Sequence, residues 1–469
     1  MVEVTDYRAL ISGQSWYRFE TVGKPVILTY SFETATPTYF SKENPNAVPT
    51  FSPLSEAEKS VVRTALDGWA SVSGVQFFET TRHQGDVTFA FYDTTKLANY
   101  SGEALAGLGG FPAPFSYKND TGDGVYNGET LGGGDVWFDS TYRQSSTFAS
   151  DFKHVALHEI GHALGLKHSF EAEPGHEEVL TAAADTGNNT VMSYDQSVRA
   201  SQLGPLDVDA IQFLYGGPGG DGTQYSFVRW DQAAERLEIN GNASAEMLRG
   251  TGADDVIRSM GGRDLIYTAQ GRDLIILEGQ AAQVNGGEGF DKVVTGLDQS
   301  ARNSLGGTGD FRYIGVGNDS QIYIDIERLA FSGGTLAFDT DYLENAGVAY
   351  RTYQAAFNRA PDLEGLSFQI NNLDRGLSFV DMANGFIASS EFSNVYGSDV
   401  SNAGYVDRLY QNVLGRPGEA SGVQFWTDTL DSGAGQKADV LVGFAESAEN
   451  ITLTGSSTQG GVWFLEGSA

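Results

Sequence analysis

The spacing of apolar and polar residues divides the chain into regions with different periodicities. Within residues 1–215, four short segments alternate in the manner of strands: Val26–Phe32, Val75–Phe78, Asp86–Phe91 and Asp135–Phe138. The order in which they occur, with helical segments between them, predicts a twisted sheet covered by helices.

Two segments of this first region have helical spacing. One begins after Ser55, a plausible N-cap, and carries Val62, Ala65 and Trp69 on one face up to about residue 70. The other runs from Asp151 to about residue 166. Together with the strands, they predict an α+β domain over residues 1–215.

Residues 216–340 lose helical periodicity and become rich in glycine and aspartate. A short unit recurs there as GTGADDVI (250–257), MGGRDLIY (260–267), AQGRDLII (269–276) and GGEGFDKVV (286–294). Its aspartates are Asp254, Asp264, Asp273 and Asp291, so the first two steps are of ten and nine positions and the third is twice nine. A nine-residue register therefore persists through one degenerate copy around Ala282.

Residues 341–455 return to amphipathic helical segments and contain a weak duplication. Tyr353 and Arg359 correspond to Tyr410 and Arg416 at a common offset of fifty-seven positions. This region is predicted to be a small all-α domain made of two copies of one helical unit. Residues 456–469 are predicted to form a short C-terminal tail.

Composition narrows the range of partners. The net charge of −32 disfavours binding to nucleic acid and to anionic lipid. The absence of cysteine excludes disulfides and thiolate ligands, so a bound metal needs histidine and carboxylate ligands. We expect no membrane span, and the N-terminus has neither the basic nor the apolar segment of a classical signal peptide.

The stretch HEIGHALGLKHS holds three of the six histidines of the chain. His158 and His162 are four residues apart and share one helix face. Gly165 can end the helix and turn the chain, which lets His168 return as a third nitrogen ligand. Three neutral ligands with one open position are typical of catalytic zinc. Glu159 is placed to act as general base. The alternative is a buried helix that happens to be rich in histidine.

This stretch resembles the metzincin form of the zincin motif, H-E-x-x-H-x-x-G-x-x-H, at every fixed position. Val191-Met192-Ser193-Tyr194 resembles the methionine turn in the form used by serralysins. The resemblance implies one catalytic zinc held by the three histidines, with Met192 beneath it. It also implies that Tyr194 binds the zinc and swings away to stabilise the oxyanion. Ser169 departs from the proline usual in serralysins and is matrixin-like.

Two neighbouring features are less specific. His154, one turn before His158, is interpreted as a residue that supports the ligands or as a surface residue, with the surface favoured. Metzincins bind peptide along an edge strand, and residues 104–111 (ALAGLGGF) lie in the corresponding order along the chain. A glycine-rich surface loop is the alternative for that stretch.

The nine-residue unit resembles the RTX repeat, which binds calcium in a parallel β-roll. Glycines allow tight turns, aspartates supply oxygen ligands, and the apolar residue two places after each aspartate faces a narrow core. We therefore expect a few structural calcium ions. The expected ligands are Asp254, Asp264, Asp273 and Asp291. The alternative is a series of ordinary turns.

The duplicated helical region resembles a domain family of unknown function that often accompanies RTX repeats. The combined resemblances imply a secreted, monomeric zinc endopeptidase acting on proteins or peptides, exported by type I secretion without an N-terminal signal peptide. Contact with the secretion machinery or the cell surface stays open. The alternative function is a surface adhesin or surface-layer component with a vestigial metzincin domain.

Overall fold

The structure, a computed structural model, describes residues 1–16, 22–81, 85–97, 106–112, 134–195, 198–219, 225–278 and 282–467. Two compact units divide the chain: residues 1–274 with 282–289, and residues 275–281 with 290–469. The division falls inside the glycine-rich region rather than at residues 215 and 340. Among the helices described, none has the length and hydrophobicity needed to cross a bilayer.

The N-terminal region, residues 1–215, forms a mixed sheet covered by helices. The elements are β1 (Val2–Val4), β2 (Val26–Phe32), α1 (Thr38–Glu43), α2 (Glu56–Val72), β3 (Val75–Glu79), β4 (Val87–Tyr92), β5 (Gly107–Gly109), β6 (Val136–Asp139), α3 (Phe148–Ala163), β7 (Glu178–Leu180) and α4 (Pro205–Tyr215). The predicted strands and helices of this region are confirmed to within three residues at their ends.

The sheet has the order β3-β2-β4-β6-β5. Its first four strands are parallel, whereas β5 pairs antiparallel with β6 and forms an edge. Helix α2 starts with the predicted cap, since Ser55 and Glu58 form a reciprocal capping box. Trp69 of α2 is fully buried and donates its indole N–H to the Leu157 carbonyl of α3 at 3.1 Å. These contacts fix α3 against α2 over the sheet.

The glycine-rich region forms short strands. They are β8 (Phe227–Asp231), β9 (Arg236–Asn240), β10 (Met247–Arg249), β11 (Val256–Arg258), β12 (Asp264–Tyr267), β13 (Gln270–Gly271), β14 (Leu274–Ile276), β15 (Ala282–Asn285), β16 (Glu288–Gly289) and β17 (Lys292–Asp298). In the first unit, β9 with β11, β10 with β12, β12 with β15 and β13 with β16 pair in parallel. Each residue pairs with the one that lies two nine-residue steps further along the chain, as Met247 does with Leu265. The chain thus completes one turn in twice the predicted period, and these parallel strands of the first unit form a coil.

The register of the first repeat differs by one residue from the prediction. Asp255 and Ile257 are buried, whereas Asp254 and Val256 are only half-buried. Val256 was expected to face the core, and that expectation is wrong. With Asp255 in place of Asp254, the step to Asp264 becomes nine residues, the same as the step that follows. The pair of adjacent aspartates concealed the regular spacing.

The second unit continues with β18 (Gly306–Thr308), β19 (Phe311–Val316), β20 (Asp319–Ile324), β21 (Arg328–Ser332) and β22 (Gly334–Ala337). Strand β17 pairs in parallel with β21, and β21 pairs antiparallel with β22. The hairpin β21–β22 ends the run of strands that precedes the helices of this unit.

Eight helices follow: α5 (Asn345–Phe357), α6 (Leu363–Asp374), α7 (Phe379–Ile387), α8 (Ser390–Tyr396), α9 (Asn402–Leu414), α10 (Ala420–Asp431), α11 (Lys437–Ala445) and α12 (Ala448–Thr458). Helices α5–α8 recur in the same order and at a nearly constant offset as α9–α12, which matches the predicted duplication. The expected tail forms a strand instead. This strand, β23 (Val462–Phe464), pairs antiparallel with β22 because its apolar side chains bury there.

A buried ion pair joins the coil to the sheet within the first unit. Arg249 ends strand β10 of the coil, and its guanidinium is 2.7 Å from an Asp86 carboxylate oxygen. The same guanidinium donates to the Ile27 carbonyl at 3.2 Å, while Asp86 accepts from the backbone and hydroxyl of Thr29. The two charged side chains are only 2% and 4% exposed, so the pair makes the coil and the sheet mutually dependent.

We expect Arg249→Met or Asp86→Asn to lower the free energy of unfolding of the first unit by roughly 3–5 kcal/mol, because either change leaves one buried charge unpaired. Urea denaturation followed by tryptophan fluorescence measures the effect. Arg229→Met is the matched control, since its ion pair with Glu238 is exposed and should cost under about 1 kcal/mol. Equal losses in the two arginine variants would contradict the interpretation.

Candidate metal centre

Helix α3 and the turn that follows it bring three histidines together. His158 and His162 project from one face of α3, and both are buried. Gly165 then adopts a φ of +99°, and a side chain there would lie 2.3 Å from the Gln14 carbonyl oxygen. Only glycine satisfies both conditions. The reversal carries His168 back towards α3, as the sequence predicted.

The three imidazoles meet through their Nε2 atoms. Nε2 of His158 lies 3.2 Å from that of His162 and 3.2 Å from that of His168, and the third pair is separated by 3.1 Å. The outer nitrogens of His158 and His162 face the carbonyl oxygens of Val191 and Leu166, each at 2.7 Å. A carbonyl only accepts, so both Nδ1 atoms carry the hydrogen and both Nε2 atoms present lone pairs.

Converging lone pairs repel unless a cation lies between them. Burial lowers the pKa of all three imidazoles, to about 3 for His162 and about 4 for His168, and neighbouring imidazoles lower it further for His158 and His162. The rings are therefore neutral at pH 7, which is the form that binds metal. A tetrahedral zinc with Zn–N bonds of about 2.0 Å needs nitrogens about 3.3 Å apart. The observed separations fit that requirement.

Orientation of the ligands also matches a metal centre. Metal-binding histidines commonly donate their second ring N–H to a carbonyl or carboxylate. His158 and His162 use carbonyls, whereas Nδ1 of His168 lies 2.8 Å from a Glu171 carboxylate oxygen without hydrogen-bond geometry. Within the described parts of the chain, these three histidines form the one group of three or more histidine or carboxylate side chains whose ligand atoms all lie within 4.8 Å of one another.

Glu159 is buried against the edge strand. Its exposed fraction is 6%, and burial raises the pKa of its carboxyl group to about 8, while a backbone hydrogen bond with Gly109 opposes this rise. A side chain at Gly107 would come within 2.8 Å of the Glu159 carboxylate. A glycine at position 107 therefore lets the strand approach the helix. A raised pKa at a buried carboxyl group beside a candidate metal centre is typical of an acid–base residue.

Strand β5 lies in the stretch that the sequence left open between an edge strand and a surface loop. Residues 104 and 105 lie outside the described residues, but Gly107–Gly109 form the antiparallel edge of the sheet. Two residues further on, the Phe111 ring packs edge-on against the His162 ring at 5.7 Å. The edge-strand interpretation is therefore confirmed for the described part of the stretch.

Met192 and Tyr194 both lie at the histidine cluster. Met192 is fully buried, and its sulfur occupies the space beside Gly161, where a side chain would be 2.6 Å away. Tyr194 is 43% exposed, and its ring centroid lies 4.6 Å from that of His168. The methionine thus supports the helix from below, and the tyrosine borders the cluster on the solvent side.

Asp207 holds the turn that carries Met192 and Tyr194, and the sequence analysis missed it. Its carboxylate accepts from the Thr190 hydroxyl at 2.5 Å and from the backbone of Val191 and Gly204 at 2.9 and 2.8 Å. Burial raises the pKa of Asp207 to about 6. The signal available was its place three residues after Gly204 at the start of α4, where an acidic residue caps a helix.

Lys167 supports the third histidine and was also missed. Its ammonium group donates to the carbonyls of Ala9, Glu171 and Glu178, and the residue is fully buried. Strand β1 pairs in parallel with β7 beside it. The first ten residues therefore hold the segment that carries His168.

His154 and Ser169 each contact a residue of a following loop. His154 is not a surface residue, because it is only 6% exposed and its Nδ1 lies 3.0 Å from the Ala200 carbonyl oxygen. Ser169, the departure from the serralysin pattern, bonds Asp185 at 2.5 Å and thereby ties the end of the motif to the loop before Met192.

The aspartates proposed as calcium ligands lie on the coil. Asp264, Asp273 and Asp291 are buried, whereas Asp254 is half-buried and accepts from the Arg272 backbone at 3.0 Å. Asp273 instead accepts from the backbone of Asp255, two nine-residue steps earlier, at 2.7 Å. The buried carboxylates thus follow the register that begins at Asp255.

Known proteins match two parts of the chain. The matrixin family matches residues 38–216, and a domain of unknown function (DUF4214) matches residues 383–454, within the duplicated helices. A serralysin of Photorhabdus luminescens is 30% identical over 221 residues, which are 43% of this chain and 41% of the relative. Serralysin G of Dickeya chrysanthemi is 27% identical over 219 residues, covering 43% and 42% respectively.

A third relative, the metalloprotease AprA of Pseudomonas entomophila, is 30% identical over 230 residues, or 44% of this chain and 42% of the relative. The chain thus spans about two-fifths of the length of the curated relatives it matches. The region that matches the matrixin family contains the histidine cluster, Glu159 and the methionine turn. Residues 38–216 are therefore similar to matrixin-family metalloproteases, and part of the chain is similar to serralysins.

Proposed function

We propose that this protein is a zinc-dependent endopeptidase that hydrolyses peptide bonds in proteins. The observation that carries the proposal is the convergence of three unprotonated imidazole nitrogens beside a buried glutamate. His158, His162 and His168 would hold the ion. A zinc ion bound there would polarise the scissile carbonyl and acidify water.

Glu159 supplies the proton transfers. Its carboxylate accepts a proton from the attacking water and delivers it to the leaving amine. A cation held by the adjacent histidines would favour the charged carboxylate and so lower the pKa of Glu159 from the value that burial alone imposes. Tyr194 donates its phenolic hydrogen to the oxyanion of the tetrahedral intermediate. Strand β5 binds the substrate backbone in extended form, with its glycines admitting close approach.

The parallel coil is the proposed calcium-binding part. Asp255, Asp264, Asp273 and Asp291 are the proposed ligands, with Asp255 in place of the Asp254 first expected. Support comes from their burial at nine-residue steps, because buried carboxylates of like charge require a compensating cation. Folding that depends on extracellular calcium accords with secretion by a type I route, which is also proposed here.

We expect Glu159→Gln to reduce hydrolysis of casein by about 10²–10⁴-fold, because the general base is lost while the shape is kept. Zinc content, measured on the same sample, should stay at one ion per chain. Glu177→Gln, which removes an exposed charge nearby, should leave both quantities unchanged. Undiminished casein hydrolysis in Glu159→Gln would overturn the proposed role of Glu159, whereas no hydrolysis by the unchanged protein would favour the adhesin alternative.

Tyr194→Phe removes one hydroxyl at the rim of the histidine cluster. We expect kcat to fall by about 10²–10³-fold with little change in KM, since the bond to the oxyanion forms only as the intermediate develops. Steady-state kinetics on a fluorogenic peptide separate the two parameters. A rise in KM at constant kcat would assign Tyr194 to substrate binding instead.

The buried aspartates predict an unusual pH dependence. Burial raises the pKa of Asp264 to about 7, helped by the charge of Glu246, and that of Asp273 to about 8, helped by Asp255. Both values exceed the ordinary value of about 4, so the folded state binds more protons than the unfolded state. Without calcium, the contribution of these groups to stability is therefore fully present below about pH 4 and should fall as pH rises from about 4 to about 8.

Thermal unfolding in the Glu159→Gln background, with and without calcium, measures this dependence while Glu159 does not titrate. Calcium should abolish the decrease, because the ion stabilises the charged carboxylates. Asp273→Asn should reduce the decrease seen without calcium. A melting temperature that rises with pH in calcium-free buffer would contradict the prediction.

A further inference from the structure

A cavity in the second unit is lined by two arginines that lack acidic partners. It has a volume of about 440 Å³, and Arg302, Arg312, Phe338 and Trp463 contribute to its walls. The 3-10 turn Gln299–Ser304 and strand β19 carry the arginines. No residue of the histidine cluster lines it.

Both guanidinium groups stack on aromatic rings. Arg302 Cζ lies 4.0 Å from the Trp463 ring centroid, and Arg312 Cζ lies 3.6 Å from that of Phe338. Stacking uses the flat faces of the guanidinium groups and leaves their N–H edges available. Among the residues that the structure describes, neither arginine forms an ion pair or a side-chain hydrogen bond.

Within the described residues, both guanidinium groups lack an ion-pair partner, although 61 acidic residues face 29 basic ones in this chain. The comparable Arg359 and Arg416 of the helical repeats both bond glutamates, at 2.7 Å. Burial lowers the pKa of Arg312, although Asp310, Glu327 and Asp325 act on it electrostatically without bonding it. A desolvated guanidinium with unused donors favours an external anion.

The rest of the lining indicates what surrounds that anion. Asn303, Thr308 and Gln459 also line the cavity. Amide and hydroxyl side chains of this kind can both donate to and accept from the hydroxyls of a ligand. The volume lies at the lower end of the range for small-molecule sites, which suits one or two sugar rings.

We propose that this cavity binds an acidic sugar, with the sugar carboxylate held between Arg302 and Arg312. The planar fork of arginine matches a carboxylate through two parallel hydrogen bonds. The hydroxyls of the sugar bond the neutral polar groups of the rim. Phosphate and sulfate carry anionic oxygens but no sugar hydroxyls. Comparing them with acidic sugars therefore distinguishes recognition of the anion from recognition of the sugar.

Isothermal titration of the full chain in calcium tests the site with glucuronate, galacturonate, glucose, inorganic phosphate and sulfate. We expect saturable binding of a uronate and none of glucose. Arg302→Gln and Arg312→Gln should each weaken binding by roughly tenfold or more, the loss of one charge-assisted bond. Arg416→Gln, which removes the same charge from an exposed ion pair, should leave it unchanged.

Arg302→Lys and Arg312→Lys keep the charge without the fork and guard against a folding defect, with circular dichroism and casein hydrolysis checked for each variant. They should weaken binding less than the glutamine variants. Equal weakening by Arg416→Gln would overturn the site in favour of general electrostatics. Phosphate or sulfate binding as tightly as the uronates would overturn the sugar assignment. Absence of saturable binding by any of the anions would overturn the proposal altogether.

Discussion

The N-terminal domain depends on one constraint, which is that three neutral imidazoles must place their lone pairs at a single point. Converging acceptors repel, so the surrounding fold has to hold them there. Helix α3 fixes two of them by its pitch, and the left-handed turn at Gly165 fixes the path to His168. Carbonyls on the outer side of His158 and His162 determine which nitrogen faces inward.

Supporting contacts reach the cluster from opposite ends of the domain. Asp207, at the start of α4, holds the turn whose Val191 carbonyl orients His158. Lys167 ties the segment before His168 to carbonyls on both sides of it. The geometry of the site therefore depends on the whole domain. Residues near both ends of the domain hold the histidines in place, and the short histidine motif does not contain those residues.

The sequence predicted those parts of the molecule that follow from local spacing. Fixed intervals between residues were enough to predict the histidine pair, the helix end at Gly165 and the duplication of the helical unit. Asp207 and Lys167 could not be ranked above other charged residues, because their roles arise from partners distant in the chain. Asp255 was missed for a different reason, since two adjacent aspartates fit the repeat almost equally and only burial distinguishes them.

The contacts of Lys167 also bear on when the histidine cluster forms during folding. Its ammonium group meets the carbonyl of Ala9, 158 residues earlier, and β1 pairs with β7 over a similar separation. Contacts between such distant residues form slowly because a long loop must close first. We therefore expect the third histidine to reach its final place late in folding, and the histidine cluster to form only after the first ten residues have met the segment that follows His168.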